Sequence, residues 1–226
     1  MFNPRRALPA GSSVVVIGLG RFGSAMAQEL EKSGAEVLAI DASEDVVEAN
    51  TPQLQHVVRA DGTSEAALRQ LSVPEFSTAV VAIGGNLAAS ILTASVLLKI
   101  GNIDVWAKAS SPEQGRILEQ MGIRHVFYPE SDMGRRAAHV VAQSFLDYIE
   151  LGYGFALVAT RTPAIMVSRP LKDLGLRKKS GVTVIAVRDA DGSWTPAHAE
   201  TVLGAEDTVL IVGPSNALAR LRADAP

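Results

Sequence analysis

Val14-Val-Val-Ile-Gly-Leu-Gly-Arg-Phe-Gly23 decides the fold. Four β-branched residues in a row specify a strand buried on both faces. The glycines follow at the spacing of a strand-to-helix turn that receives a diphosphate. Gly18 permits the tight turn, Gly20 lets backbone approach the ligand, and Gly23 lets helix and strand pack closely. Leu19 and Phe22 complete the loop between them. Arg21 falls in the first turn of the helix, where a cation opposes the macrodipole; a bound anion would offset that cost, so Arg21 reads as a phosphate contact.

Outward from this stretch, short apolar runs alternate with segments of helical period, the pattern of βα units in a parallel sheet. Strands are expected at Val14–Ile17, Glu36–Ile40, Gln55–Val58, Thr78–Ile83, Asp104–Ala107 and His125–Tyr128. Gly34 stops the first helix; Ser111, Pro112 and Gln114 start another, which Gly122 ends. An amphipathic segment at Met133–Ile149 reads as a connecting helix. Beyond it the texture changes to strands at Phe155–Ala159, Val182–Val187 and Thr208–Val212, short helices at Leu171–Leu174 and Asn216–Leu221, and a turn at Asp189–Gly192. The fold class is therefore α/β: a doubly wound six-stranded parallel Rossmann-like sheet over residues 12–150, followed by a small α+β domain over 151–226.

In open parallel sheets ligands bind beyond the carboxyl ends of the strands. Asp41, eighteen residues after Gly23 and ending the second strand, stands where an acid accepts hydrogen bonds from a ribose; its charge disfavours a 2′-phosphate. The alternative for Asp41 is a helix cap. Asp61 follows the third strand as either an adenine or ribose contact or part of a helix start. Gly84, Gly85 and Asn86 follow the fourth strand as an open backbone turn, with Asn86 a cap candidate. Lys108 and Glu130 end the next two strands with opposite charges; Glu130 either holds a divalent ion on a phosphate or favours the N-terminus of its helix.

The 226 residues are 47% hydrophobic and 20% charged, with no cysteine, which excludes disulfides and thiolate chemistry. A net charge of −3 with no basic run longer than Arg177-Lys178-Lys179 argues against nucleic acid. Residues 1–13 read as a loose lead-in without an export signal, and no stretch approaches the apolar length of a membrane span. The four histidines show no metal-ligand spacing, and no serine sits in a nucleophile elbow. About 75 residues after the sheet offer little from which to build a substrate domain for a dehydrogenase, so the chain is expected not to be an enzyme.

Val16–Ser24, Ala39-Ile-Asp41, Val81-Ala-Ile-Gly-Gly-Asn86, Trp106-Ala-Lys108 and Tyr128-Pro-Glu-Ser-Asp-Met-Gly134, in this order, resemble the RCK-type subunits of Ktr/Trk potassium-uptake systems, over about Ser13 to Gly213. The resemblance implies a regulatory subunit of cytoplasmic location, held at the inner face of the membrane by a membrane-embedded potassium channel or transporter. It implies a homo-oligomer, dimers assembled into an octameric ring, switched by ATP against ADP. On the matching motifs, Gly18, Leu19, Gly20, Phe22 and Gly23 would hold phosphates, Asp41 the ribose, Arg21 the terminal phosphate, and Glu130 a magnesium or calcium ion. Lys108 lies in a matching motif with a less defined role. In the second domain, Leu171, Leu176, Arg177, Val182, Thr183 and Val184 match positions that bind cyclic di-AMP in some relatives. This chain departs from relatives with polar residues near 182 and 183, having Val182 and Thr183; the aliphatic positions read equally as core. The alternatives are an NAD(H)-sensing transport regulator and a small NAD-dependent oxidoreductase.

Overall fold

In a computed structural model, residues 12–143, 145–189 and 191–223 are described. Most of the expected lead-in, residues 1–11, lies outside them. The chain divides into two compact units between Glu130 and Ser131.

The first unit is built on β1 (Ser13–Ile17), whose apolar residues are buried on both faces as the valine run requires. The strands β1, β2 (Glu36–Asp41), β3 (Val57–Arg59), β4 (Thr78–Val81), β5 (Asp104–Lys108) and β6 (His125–Phe127) form one parallel sheet in the order β3-β2-β1-β4-β5-β6. All six expected strands exist. β3 starts two residues later than expected and β4 stops at Val81, so the chain reaches Gly84 already outside the sheet.

Helices α1 (Arg21–Lys32) and α2 (Glu44–Asn50) cover one face, where Ala27 packs with Val14, Val16, Val37, Ala39 and Val80. Helices α3 (Glu65–Gln70), α4 (Leu87–Ile100) and α5 (Pro112–Gln120) cover the other, where Leu68, Leu97 and Leu118 pack on Val15, Ile17, Val81 and Ala107. Alternate residues of one strand thus feed two separate cores. Helix ends follow their local chemistry. Ser64, Asn86 and Ser111 accept backbone N–H bonds at the starts of α3, α4 and α5. Gly34 and Gly122, expected as stops, follow α1 and α5 at φ +86° and +100°.

The expected helix at Met133–Ile149 needs correction. Helix α6 runs Pro129–Gln143, and Asp147–Gly152 is the strand β7. The apolar spacing of 133–143 is helical, but Asp147, Tyr148, Ile149 and Glu150 pair antiparallel with Ala159, Val158, Leu157 and Ala156, with Tyr148 buried and Ile149, Glu150 and Leu151 exposed. Gly152, Tyr153 and Gly154 all take positive φ and return the chain as a hairpin into β8 (Phe155–Arg161).

In the second unit, β7 and β8 join β9 (Thr183–Arg188), β10 (Trp194–Pro196) and β11 (Thr208–Pro214) in an antiparallel sheet of order β10-β9-β11-β8-β7. The helices are α7 (Leu171–Leu174), α8 (Leu176–Ser180) and α9 (Ser215–Ala223). One sheet face carries Tyr148, Ala156, Val158, Val209 and Ile211, which share a core with Leu174 of α7 and Leu218 and Leu221 of α9. The expected turn at 189–192 is present: Gly192 N–H donates to Asp189 O, and the Asp189 carboxylate accepts from Asp191 and Ser193 N–H.

Candidate functional site

Gly18 leaves β1 at φ +98°, and its N–H donates to Ile40 O at 2.8 Å. A Cβ on Gly18 would lie 2.9 Å from Ile83 N, and one on Gly23 would lie 1.9 Å from Gly18 O. The loop therefore has no room for side chains at its first and third glycines. Gly20, by contrast, is exposed with nothing near a would-be Cβ, so its backbone faces outward unobstructed.

Gly20 is also the N-cap of α1. It supplies no side-chain acceptor, and no acid stands in the first turn. Helix N-termini leave several backbone N–H groups without intrahelical partners; Ser64, Asn86 and Ser111 meet that need at α3, α4 and α5, and α2, whose Ser43 makes no side-chain cap bond, has Glu44 and Asp45 in its first turn. At α1 the need is left for an anion. Arg21 is exposed there and adds a cation to the same end.

Asp41 is tied into this loop: Oδ2 accepts from Leu19 N–H at 2.7 Å and Oδ1 from Ser43 N–H at 2.9 Å. The second bond ties Asp41 to the start of α2, whose N-cap is Ser43, and the first ties it to the glycine loop. Each carboxylate oxygen has capacity for a further donor, as a ribose diol supplies.

A second group gathers at the ends of β4, β5 and β6. Lys108 is 7% exposed, and its ammonium pairs with Glu130 Oε1 and lies 5.9 Å from the Phe22 ring centroid. A Cβ on Gly84 would sit 2.9 Å from Lys108 Nζ, so the glycine gives the ammonium its path to the surface. Glu130 is exposed, and the Lys108 ammonium beside it, with a smaller contribution from Arg21, holds its carboxyl below the usual value. The strand-end residues Gly84, Lys108 and Glu130 are thus brought together with Phe22 of the glycine loop.

Other candidates serve the scaffold. Asp61 accepts from Thr63 N–H and Oγ1 at 2.9 and 2.7 Å, bonds that lower its pKa, and Asn86 caps α4 through Ala89 N–H. Gly62 could not carry a Cβ, which would come 2.7 Å from Ile17 Cγ2. Glu130 is the lone carboxylate of its cluster, and among the described residues no group of three or more His, Asp or Glu side chains is arranged to hold a metal. In the second unit Val182 and Val184 are core residues, Leu171 and Leu176 pack against that core, and Arg177 is exposed.

Two polar clusters escaped the sequence. Buried Asn50 accepts from Ser24 Oγ and donates to Val46 O at 2.8 Å, while Gln28 donates to Ser24 Oγ at 3.2 Å, which fixes α1 against α2. Buried Gln114 accepts from Ser110 N–H at 2.8 Å and donates to Ser90 Oγ and Lys108 O, which anchors the backbone beneath Lys108. Gln114 was legible as a helix-start residue, but its reach to α4 depends on tertiary packing. Beside the site, Trp106 stacks on His125 at 3.8 Å and Phe127 at 5.3 Å, and its indole N–H donates to Asp104 Oδ2.

Comparison with known proteins agrees with this architecture. The TrkA-N domain model matches residues 14–129 and the TrkA-C domain model matches residues 156–224. Ktr system potassium uptake protein C of Bacillus subtilis is 34% identical over 91% of this chain and 93% of its own length. Ktr system potassium uptake protein A of Vibrio alginolyticus is 34% identical over 90% and 93%. Among solved structures, the GsuK RCK domain superposes with a TM-score of 0.67 at 18% identity, over 96% of this chain and 49% of that one. A GsuK channel bound to NAD gives 0.67 and 18%, over 96% and 40%. With both domains matched and this identity sustained along nearly its whole length, the chain belongs to the RCK family of TrkA-N/TrkA-C proteins, alongside the Ktr potassium-uptake proteins.

Proposed function

We propose that the chain is a nucleotide-binding regulatory subunit that gates a membrane-embedded potassium channel or transporter, switched by ATP against ADP, and that it catalyses no reaction of its own. The observation that carries this reading is the start of α1. Its backbone donors lack a side-chain acceptor, its glycine turn is open, and it lies hydrogen-bond distance from Asp41 through Leu19 N–H. The potassium-uptake relatives supply the process.

In this reading the first-turn N–H groups and the exposed backbone of Gly20 hold a diphosphate, and Asp41 accepts the ribose hydroxyls. Arg21 meets the terminal phosphate. Lys108 stands ready to neutralise phosphate charge. Glu130 contributes one ligand to a magnesium or calcium ion whose remaining ligands are phosphate oxygens, water or a second copy's residues. A nucleotide regulates only if two states of the protein bind it unequally. The terminal phosphate is the one difference between ATP and ADP, so discrimination rests on Arg21 and the Lys108–Glu130 pair. Assembly as dimers in an octameric ring, and a cytoplasmic position beneath the transport subunit, complete the proposal. Cyclic di-AMP at Arg177 and Thr183 is an additional ligand to test.

The NAD(H) alternative draws on Asp41, whose charge suits an unphosphorylated ribose equally well, and on the NAD-bound GsuK neighbour. Calorimetric titration of the purified chain with ATP, ADP, NADH and cyclic di-AMP, with and without magnesium or calcium, separates the two. The expected result is ATP and ADP binding, with Arg21→Ala narrowing the ATP-to-ADP affinity ratio by about tenfold, one charge-assisted contact. Binding of NADH alone overturns the ATP/ADP reading, and an equal loss for both nucleotides removes Arg21 from the discriminating role.

A further inference from the structure

Lys108 and Glu130 are each read as meeting the nucleotide, one through phosphate and one through a divalent cation, yet here they hold each other. The Lys108 ammonium donates to Glu130 Oε1, and the two side chains are 9% and 62% exposed. An enclosed cation thus faces an acid at the surface. The other ion-paired lysines and arginines of the described residues are far more open, Arg136 at 43% being the nearest.

The backbone of the enclosed member is fixed. Lys108 ends β5, its carbonyl accepts from buried Gln114, and the next N–H, that of Ala109, donates to Phe127 O at 2.8 Å. Around the ammonium stand the Phe22 ring and the backbone of Gly84, neither of them charged. Arg21 acts on the Glu130 carboxylate through space only. An ammonium with so little access to water needs a counter-charge, so Glu130 can withdraw only as another anion takes its place. Equally, a lone carboxylate already neutralised by an ammonium offers little to a divalent cation. Phosphate and cation each remove the obstacle to the other.

We infer that Lys108 is the resident counter-cation of Glu130 and is exchanged when the site loads: its ammonium passes to a phosphate oxygen as Glu130 turns to the divalent cation. Gly84 leaves the space for that movement, since a Cβ there would stand 2.9 Å from Lys108 Nζ and 3.5 Å from its Cε. Lys108 is thereby a positioning residue that keeps Glu130 closed to a cation arriving alone and makes cation and nucleotide bind together. The inference rests on the nucleotide reading above and adds to it the coupling between the two ligands.

The test titrates ATP into the full chain, once in a chelator and once in excess magnesium, for the parent, Glu130→Gln, Lys108→Met and the double variant. Glu130→Gln frees the ammonium for phosphate, so its magnesium-free affinity should rise by about tenfold, the size of one hydrogen bond to a charged group, while most of the magnesium effect is lost. Lys108→Met should weaken magnesium-free binding by about tenfold and enlarge the magnesium effect, because the cation then meets an unpaired carboxylate. The gain from Glu130→Gln should shrink once Lys108 is absent, which separates an exchange from simple relief of charge repulsion. Glu130 is at the surface, so its variant folds even if Lys108→Met does not, and the sign of its magnesium-free change is decisive alone. Weaker magnesium-free binding by Glu130→Gln, an equal gain with and without Lys108, or an undiminished magnesium effect in Glu130→Gln overturns the exchange and leaves the nucleotide site standing. ATP binding by none of the four, with or without magnesium, refutes the site itself and the exchange with it.

Discussion

The two units solve the same problem of burying a sheet in opposite ways. In the first, a parallel sheet is sandwiched between two helical layers, and every strand ends in a loop at one edge, where the glycine loop, Asp41, Gly84, Lys108 and Glu130 supply the candidate site from five strand ends. In the second, an antiparallel sheet carries helices on the face that forms its core, and hairpins scatter the loops. Parallel connectivity concentrates function at backbone turns, where glycines and strand-end charges do the binding. The antiparallel unit presents side-chain surfaces instead.

The contrast breaks most readily at Gly23. Gly23→Ala forces a methyl group into Gly18 O and should destabilise the first unit by about 3 kcal/mol while abolishing nucleotide binding. In scanning calorimetry only the first unit's transition should move; a shift confined to the second would refute the division of labour. Asp41→Ala comes next, because it strips acceptors from Leu19 and Ser43 N–H at once. Nucleotide affinity should fall by at least tenfold, about 1.4 kcal/mol, with Asp41→Asn intermediate, as isothermal titration will register.

The smallest effects come from two ion pairs, one in each unit. Arg136 grips Asp147 through both Nε and Nη2, whereas Lys108 meets Glu130 through a single ammonium. Both carboxyls are held below their usual values, Asp147 chiefly by the Arg136 hydrogen bonds and Glu130 chiefly by that of Lys108. A depressed carboxyl stabilises the fold fully above its unfolded value and loses that contribution as pH falls through its folded one. Both pairs should therefore fail only under acid conditions, below the usual carboxylate range. Because Asp147 and Glu130 are 40% and 62% exposed, each pair is worth at most about 1 kcal/mol. Asp147→Asn should flatten the acid limb of the stability profile more than Glu130→Gln; the reverse order would show that the site pair, not the hairpin pair, anchors its unit.

The first unit was legible because period two and period 3.6 alternate there without ambiguity, and Gly18, Gly20 and Gly23 fall where strand meets helix. The second was less so. Tyr148-Ile-Glu-Leu continues an apolar spacing that reads as helix until Gly152-Tyr-Gly154 is seen as a hairpin rather than a helix stop. Strand-end position groups Lys108 with Gly84, but other distant partners were invisible: nothing in the string links Asn50 to Ser24 or Gln114 to Ser90.

The chain's two tryptophans divide between the units, Trp106 in the aromatic stack with His125 and Phe127, and Trp194 beneath the Arg188 guanidinium. Each unit therefore carries its own fluorophore. Replacing either with phenylalanine leaves a single emitter, so the unfolding of each unit can be followed as a separate optical signal in one protein.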